Sequence, residues 1–256
     1  MMLRSPVLPF PHGFTTRDGG VSEGPYATLN LGSKWGDDPA RVRENRRRFF
    51  REAGIAEGAH SATEGTRLPR LWSVTQVHGR DLTRIGPEAD VEAVSRVRAD
   101  AMASLEPGVA LGIYTADCIP MLLCDARTGV FAAAHAGWRG TVAGIATAVV
   151  EALVQHYKVE PGALRVALGP SIGPCCFEVG EDVAAKFASH FVKPREGQKP
   201  TVDLRAANVA QLVAAGVREG HIDASAPCTA CDRERFYSFR RDGRETGQHV
   251  AYIRRP

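Results

Sequence analysis

The sequence predicts a single globular domain that mixes short β-strands with helices. Three observations carry this. Apolar residues make up 44% and charged residues 24% of the 256 positions, the balance of a chain that folds around a core. Runs of five or six mainly apolar residues alternate with longer stretches that carry helix start and stop signals. No internal repeat or long linker divides the chain, whose length suits one sizeable core. Strands and helices are interleaved, so the order of strands within the sheets stays open.

Residues 1–35 are rich in Gly, Pro, Thr and Asn and read as short strands and turns. Asp37-Asp38-Pro39 has the form of a helix start, because a proline's missing N–H costs nothing in a first turn. The helix covers 40–53, and Gly54 stops it. Residues 56–70 are polar and read as a loop. The segment 71–78 (LWSVTQVH) has strand character and ends at Gly79-Arg80. Three more strands are predicted at 109–114, 120–124 and 130–134, with a hairpin turn at Arg127-Thr128-Gly129. A helix follows over 141–156, broken before Pro161-Gly162, then a strand at 164–168 and a glycine- and proline-rich stretch, 169–174. Two further helices are predicted over 180–190 and 203–215, separated by a turn-rich basic segment, 193–200. Near the C-terminus Phe236, Ser238 and Arg240 alternate with Tyr237 and Phe239, which predicts a strand.

A net charge of +3 is too mild to argue for nucleic-acid binding, so no nucleic-acid partner is expected. Arg233, Arg235, Arg240, Arg241, Arg244, Arg254 and Arg255 crowd the last stretch. They read as a solvated basic surface or, more sharply, as a site for phosphate or another anion. The N-terminus carries three prolines and no apolar h-region, unlike a signal peptide. The longest mainly apolar run, 140–154, is too short to span a bilayer and contains Glu151. A cytoplasmic protein without a membrane partner is expected, and its six cysteines read as thiols or metal ligands.

Three segments each place one potential zinc ligand beside a glycine or a turn: Gln76-Val77-His78-Gly79, Thr115-Ala116-Asp117-Cys118 and Ala134-His135-Ala136-Gly137. The ligands stand 40 and 17 residues apart, unlike the close pairs of a zinc ribbon or finger. Each lies where a strand is predicted to end, and strand ends can converge on one point. Two imidazoles and a thiolate suit zinc by softness, and three protein ligands leave a fourth position open for chemistry. Taken singly, a His at a strand end is ordinarily a hydrogen-bonded residue and a Cys a small buried hydrophobe, so spacing alone does not establish the site. Cys228-Thr229-Ala230-Cys231 lacks a second C-x-x-C partner and reads as structural, redox-active or half of a zinc site. Cys175-Cys176 reads as a pair of buried thiols near a tight turn. His12, His156, His190, His221 and His249 read as structural or exposed.

The motifs resemble those of the YfiH/YlmD family, also called laccase-domain or multicopper polyphenol oxidoreductases. The resemblance begins with Phe14-Thr15-Thr16-Arg17-Asp18-Gly19-Gly20-Val21-Ser22, Gly24-Pro25-Tyr26, Leu29-Asn30-Leu31-Gly32, Gly36-Asp37-Asp38-Pro39 and Asn45-Arg46. It continues through the three segments above, Pro120 and Trp138-Arg139-Gly140. It closes with Gly169-Pro170-Ser171-Ile172-Gly173-Pro174-Cys175-Cys176-Phe177-Glu178-Val179, Cys228-Thr229, Cys231, Phe236-Tyr237-Ser238 and Arg240-Arg241. The resemblance implies an α+β domain of mixed β-sheets packed as a sandwich with flanking helices. It implies zinc on His78, Cys118 and His135, and purine nucleoside phosphorylase activity. One departure is Thr246-Gly247-Gln248, where the family commonly has Thr-Gly-Arg; Arg244 or the Arg240-Arg241 pair would have to supply the cation.

In this reading phosphate attacks C1′ of the ribose of adenosine, inosine, guanosine or methylthioadenosine, and the purine leaves. Arg17, Arg46 and Arg139, with Asn30, are the candidate phosphate and substrate contacts. The resemblance also implies adenosine deamination, for which Asp117 is either an acid/base partner or a hydrogen-bond acceptor behind Cys118. Three rivals compete. Cys118 would be the nucleophile of a cysteine hydrolase, with His135 or His78 as base, acting on peptidoglycan-precursor peptides. A copper-dependent polyphenol oxidase would need clustered histidines that eight scattered ones do not supply. A non-catalytic zinc-binding protein would close the fourth position, with Cys231 or Cys176.

Overall fold

The computed structural model describes residues 2–56 and 70–256. In chain order its elements begin with β1 (Met2–Leu3), β2 (His12–Thr15), α1 (Pro39–Ala53), β3 (Arg70–Trp72), β4 (Leu82–Ile85) and α2 (Val91–Ser95). Then come β5 (Ala101–Ser104), β6 (Val109–Thr115), β7 (Ile119–Cys124), β8 (Phe131–Ala136), α3 (Trp138–Val142), α4 (Ile145–Tyr157) and β9 (Arg165–Leu168). The chain closes with α5 (Glu181–Ala184), β10 (Val192–Arg195), β11 (Gln198–Val202), α6 (Leu204–Ala214), β12 (Ile222–Asp223), α7 (Phe239–Asp242) and β13 (His249–Arg254). One sheet has the order β1-β2-β13-β6-β3 and a second the order β12-β9-β7-β8-β5-β4, both mixed; β10 and β11 form a separate hairpin.

The period of two along a strand explains how these sheets stack. Met102, Leu122, Cys124, Phe131 and Ala133 of the second sheet meet Phe14, Leu111, Ile113, Ala251 and Ile253 of the first. The alternate residues, Ala101, Ala103, Met121, Leu123, Ala132 and Ala134, turn the other way and pack on Val149 and Leu153 of α4 and Leu212 of α6. On the outer face of the first sheet Ala110, Val250 and Tyr252 meet Phe49 and Ala53 of α1. The result is an α+β sandwich of four layers, helix, sheet, sheet, helix. Burial on both faces is why β6, β7 and β8 read as unbroken apolar runs. Each buried large aliphatic or aromatic side chain contributes about 1.5–3 kcal/mol. Among the described residues no helix is long and apolar enough to cross a membrane.

Local signals set several boundaries as expected. Asp38 caps α1, its side chain accepting from the Ala40 N–H, with Pro39 in the first turn and Gly54 left-handed at φ 63°. The β7–β8 hairpin turns through Arg127-Thr128-Gly129, with Gly129 at φ 81°. Asp203 caps α6 in the same manner as Asp38 caps α1.

Other expectations are corrected. The predicted strand 236–240 is absent: Phe236 and Tyr237 are both buried, and Ser238 caps the short helix α7 by accepting from the Arg241 N–H. The predicted helix 141–156 is two helices, because Gly144 at φ 83° breaks it. The helix at 180–190 ends at Ala184, and Ala188 is extended. The basic segment 193–200 falls within the β10–β11 hairpin, turned at Gly197 with φ 67°. Strand 71–78 stops at Trp72, which leaves His78 on a loop. The loop predicted at 56–70 lies almost wholly outside the described residues. Strands β4, β5 and β13 and helix α2 have no counterpart in the sequence reading.

His12 and His249 are buried structural residues, as read. His249 Nε2 accepts from the Tyr237 N–H at 2.8 Å, and burial together with Arg17 pushes its pKa down to about 3. Below its ordinary value near 6.5 the unfolded chain therefore binds a proton at His249 that the folded chain refuses until near pH 3. Stability from this group is present at neutral pH and lost on acidification through that window. Urea unfolding at falling pH should show a loss whose share from His249 is at most about 1.4 kcal/mol per pH unit. His249→Gln, which keeps an acceptor, should flatten that slope; an unchanged slope would assign the acid sensitivity elsewhere.

Candidate active site

Two connections run from the first sheet to the second, and each delivers one of the predicted ligands. The β3–β4 connection carries His78, and Ala116-Asp117-Cys118 makes the short β6–β7 crossing. Both crossings turn sharply, with His78 at φ 61° and Asp117 at φ 88°. Non-glycine residues hold this left-handed backbone only when neighbours over-determine it. His135 arrives on β8, where its register partner is Pro120 of β7. One ligand atom from each of His78, Cys118 and His135 lies within 4.8 Å of the other two. The two imidazole rings meet edge to face with centroids 4.8 Å apart.

Asp100 holds these pieces together, and the sequence reading missed it. Its fully buried carboxylate accepts from the backbone N–H groups of Val77 (3.2 Å), His78 (2.9 Å) and Gly79 (2.6 Å). His135 Nδ1 lies 2.8 Å from Asp100 Oδ1, which fixes one ring proton there and leaves Nε2, once a metal displaces its proton, as the ligand atom. Burial works against the carboxylate, but the bonds from His135 and Gly79 outweigh it and hold Asp100 below the ordinary range. The one available signal was an acid directly preceding the apolar strand at Ala101.

The donor set fits a divalent metal. Burial opposes the Cys118 thiolate, yet the imidazoles of His135 and His78 lower its pKa to about 6, so sulfur is offered in the form that binds metals. For His135, burial opposes the charge, and Cys118 and Asp100 outweigh it to raise the pKa to about 9. Gly137 closes the cradle: a Cβ there would stand 2.8 Å from His78 Nδ1 and 3.0 Å from Cys118 Sγ.

His78 and Cys118 open into a cleft of about 490 Å³, within the size range of small-ligand pockets. Trp138, Arg139, Phe177, Phe239 and Arg240 also line it. Arg139 is exposed and stacks 4.3 Å from the Trp138 ring, and its guanidinium has no hydrogen-bond or ion-pair partner among the described residues. Phe239 is 44% exposed and lies 5.6 Å from the Trp35 ring. Among the described residues, a larger cleft of about 890 Å³ shares no lining residue with this one and is lined by neither His nor Cys, so we place the chemistry in the smaller cleft.

The other predicted contacts lie elsewhere. Arg17 donates to the carbonyls of Ala27 (2.6 Å) and Arg233 (3.0 Å) and pins two loops. Asn30 is buried, bonded to Gly32, Asp37 and Gln248. Arg46 donates to the Leu31 carbonyl and lines the larger cleft. None of the three reaches the metal-ligand cluster's cleft, whereas Arg139 does. Gln248 is buried against Gly32, so the residue that departs from the family pattern is a packing residue here. Asp117 is fully engaged: Oδ1 accepts from Thr229 Oγ1 (2.5 Å), and Oδ2 from Ser238 Oγ (3.0 Å) and the Arg240 N–H (2.6 Å). That is the acceptor role rather than the acid/base one. Cys176 and Cys231, the suggested closing ligands, join Cys175 and Cys228 in a separate group.

Residues 11–256 match the family described as multi-copper polyphenol oxidoreductase laccase. A purine nucleoside phosphorylase of Deinococcus radiodurans is 43% identical over 260 aligned positions, covering 100% of this chain and 93% of the relative. Purine nucleoside phosphorylase YfiH of Escherichia coli is 36% identical, covering 97% and 96%. The crystal structure of YlmD from Geobacillus stearothermophilus superposes with a TM-score of 0.86 at 33% identity, covering 99% of this chain and 96% of that one.

Asp100→Asn keeps the shape but turns an oxygen into a donor facing the Gly79 or His78 N–H. Zinc affinity measured by chelator competition should fall roughly 10- to 100-fold. An affinity equal to the parent's would mean that Asp100 does not position the ligands.

Proposed function

The chain belongs to the multi-copper polyphenol oxidoreductase laccase family, that of YfiH and YlmD, and on this footing we propose that it is a zinc-dependent purine nucleoside phosphorylase. Its zinc ligands are His78, Cys118 and His135. The observation that carries the reading is that one cleft unites His78 and Cys118 with Arg139, a guanidinium free to meet an anion. The names of the relatives support the activity.

A phosphate oxygen attacks C1′ of the ribose; the C1′–N bond breaks, and its electron pair leaves with the purine, which takes up a proton. The reaction needs phosphate fixed beside C1′ and charge balanced as the bond breaks. Arg139 holds the phosphate by charge-assisted hydrogen bonds. Arg240 adds positive charge to the same wall while its Nη1 donates to the Cys176 and Glu178 carbonyls. Phe239 and Trp138 offer aromatic faces for the base. Zinc supplies a Lewis acid that orients phosphate or draws charge from the substrate. Adenosine, inosine and guanosine are the proposed substrates; methylthioadenosine needs only room for its 5′ group.

Adenosine deamination ranks second. Zinc deaminases use a glutamate as proton shuttle, and the carboxylates lining this cleft are Asp117, engaged three times, and Glu178, paired with Arg195. A cysteine hydrolase has one observation in its favour, the Asp100–His135–Cys118 relay. The second imidazole, His78, beside the same sulfur favours a metal instead. Among the described residues a single cluster contains histidines, two of them, which is too few for several coppers.

Inosine or adenosine with phosphate should release free base and ribose 1-phosphate. Equal cleavage without phosphate would mean a hydrolase, and activity that survives chelation with an alkylatable Cys118 would favour the cysteine mechanism. Cys118→Ala should lose the zinc of the His78–Cys118–His135 cluster and cleavage together while keeping its fold.

Arg139→Ala should raise the apparent KM for phosphate roughly 10- to 100-fold, more than that for nucleoside. Arg46→Ala should leave the phosphate KM unchanged; the reverse pattern would exchange their roles.

A further inference from the structure

Four cysteines that the proposed chemistry does not use converge away from the His–Cys–His cluster. Cys175 and Cys176 sit on the loop after β9, and Cys228 and Cys231 on the loop before α7. Their four sulfurs all lie within 4.8 Å of one another. Cys231 Sγ is 3.4 Å from both Cys175 Sγ and Cys176 Sγ. Four thiolates around one zinc at about 2.3 Å stand about 3.8 Å apart by tetrahedral geometry, close to this spacing. We propose that Cys175, Cys176, Cys228 and Cys231 form a second, structural zinc site of four thiolates.

The surroundings suit a bound tetrathiolate. The Gly173 N–H points at Cys228 Sγ at 3.2 Å, a backbone hydrogen bond of the kind a metal-bound thiolate accepts. Zinc with four thiolates carries two negative charges, and Arg205 lies near Cys228 and Cys175 to offset them. Its guanidinium is fixed by Ser171 Oγ (3.0 Å) and the carbonyls of Ala224 and Ala226. Main-chain bonds already join the two loops, Thr229 N–H to Ser171 O at 3.1 Å and Ser171 N–H to Pro227 O at 3.4 Å. Four ligands leave no open position, so the ion is a staple.

What it staples is the wall of the cleft. Ile172, Phe177 and Glu178 come from the first loop, and Phe239 and Arg240 follow the second. Arg240 donates across to the Cys176 carbonyl, and its own N–H binds Asp117, the neighbour of Cys118. The staple thus holds in register the loops on which Arg240 and Phe239 depend.

The test is zinc content by native mass spectrometry and elemental analysis on protein purified in reductant without chelator. The parent should carry two zinc ions per chain, Cys118→Ala one, and the Cys228→Ser/Cys231→Ser double variant one. X-ray absorption at the zinc edge of Cys118→Ala should show sulfur alone, at about 2.3 Å. This spectrum decides the matter even if the double variant fails to fold. A parent with one zinc that vanishes in Cys118→Ala would overturn the second site and leave the first. A single zinc that persists there with sulfur-only coordination would do the reverse. Iron in place of zinc, or these cysteines paired as disulfides in the isolated protein, would also overturn the proposal.

Discussion

The site depends on one buried carboxylate. Asp100 has no solvent exposure, and an ionised group so placed is tolerated only when its lone pairs are filled. Three consecutive N–H groups of the first crossing and the imidazole of His135 on β8 fill them. The cost of leaving such a charge unpaired in an apolar surround ties the crossing to the second sheet and keeps His78 in its left-handed conformation. Ligand geometry at His78 and His135 is thus set by the same atoms. Cys118 reaches them because the other crossing is only three residues long, too short to wander.

Asp117 repeats the device on the second crossing. Its carboxylate gathers Thr229, Ser238 and the Arg240 backbone, so the C-terminal loops are fastened to the residue next to Cys118. That fastening turns a segment of alternating sequence, 236–240, into a capped turn of helix and sends Phe239 and Arg240 to the cleft. A variant of Asp117 would therefore disturb the substrate wall and the cysteine group beyond it, without Asp117 handling any proton itself.

The family description speaks of copper and phenols, while the donor chemistry points elsewhere. One sulfur and two imidazoles beside a largely apolar cleft with a free guanidinium form a setting for an anion and a Lewis acid. An oxidase that passes electrons between several coppers needs imidazoles in number, and here His12 and His249 are occupied as buried backbone partners.

The sequence by itself determined the ends of α1, the β7–β8 hairpin, the apolar strands β6, β7, β8 and β9 and the three motifs that carry His78, Cys118 and His135. Each is written in short-range terms: a capping Asp38, a left-handed Gly129, an unbroken run such as 120–124, a His or Cys beside a turn. Only the tertiary structure decided which of three candidate arginines lines the cleft. Arg17, Arg46 and Arg139 look alike in sequence, but carbonyls from distant loops take up the first two and Trp138 alone stacks on the third. Asp100 and the convergence of Cys175, Cys176, Cys228 and Cys231 were equally hidden. Their partners lie 21 to 56 residues away, and no local pattern records a contact made by folding at that range.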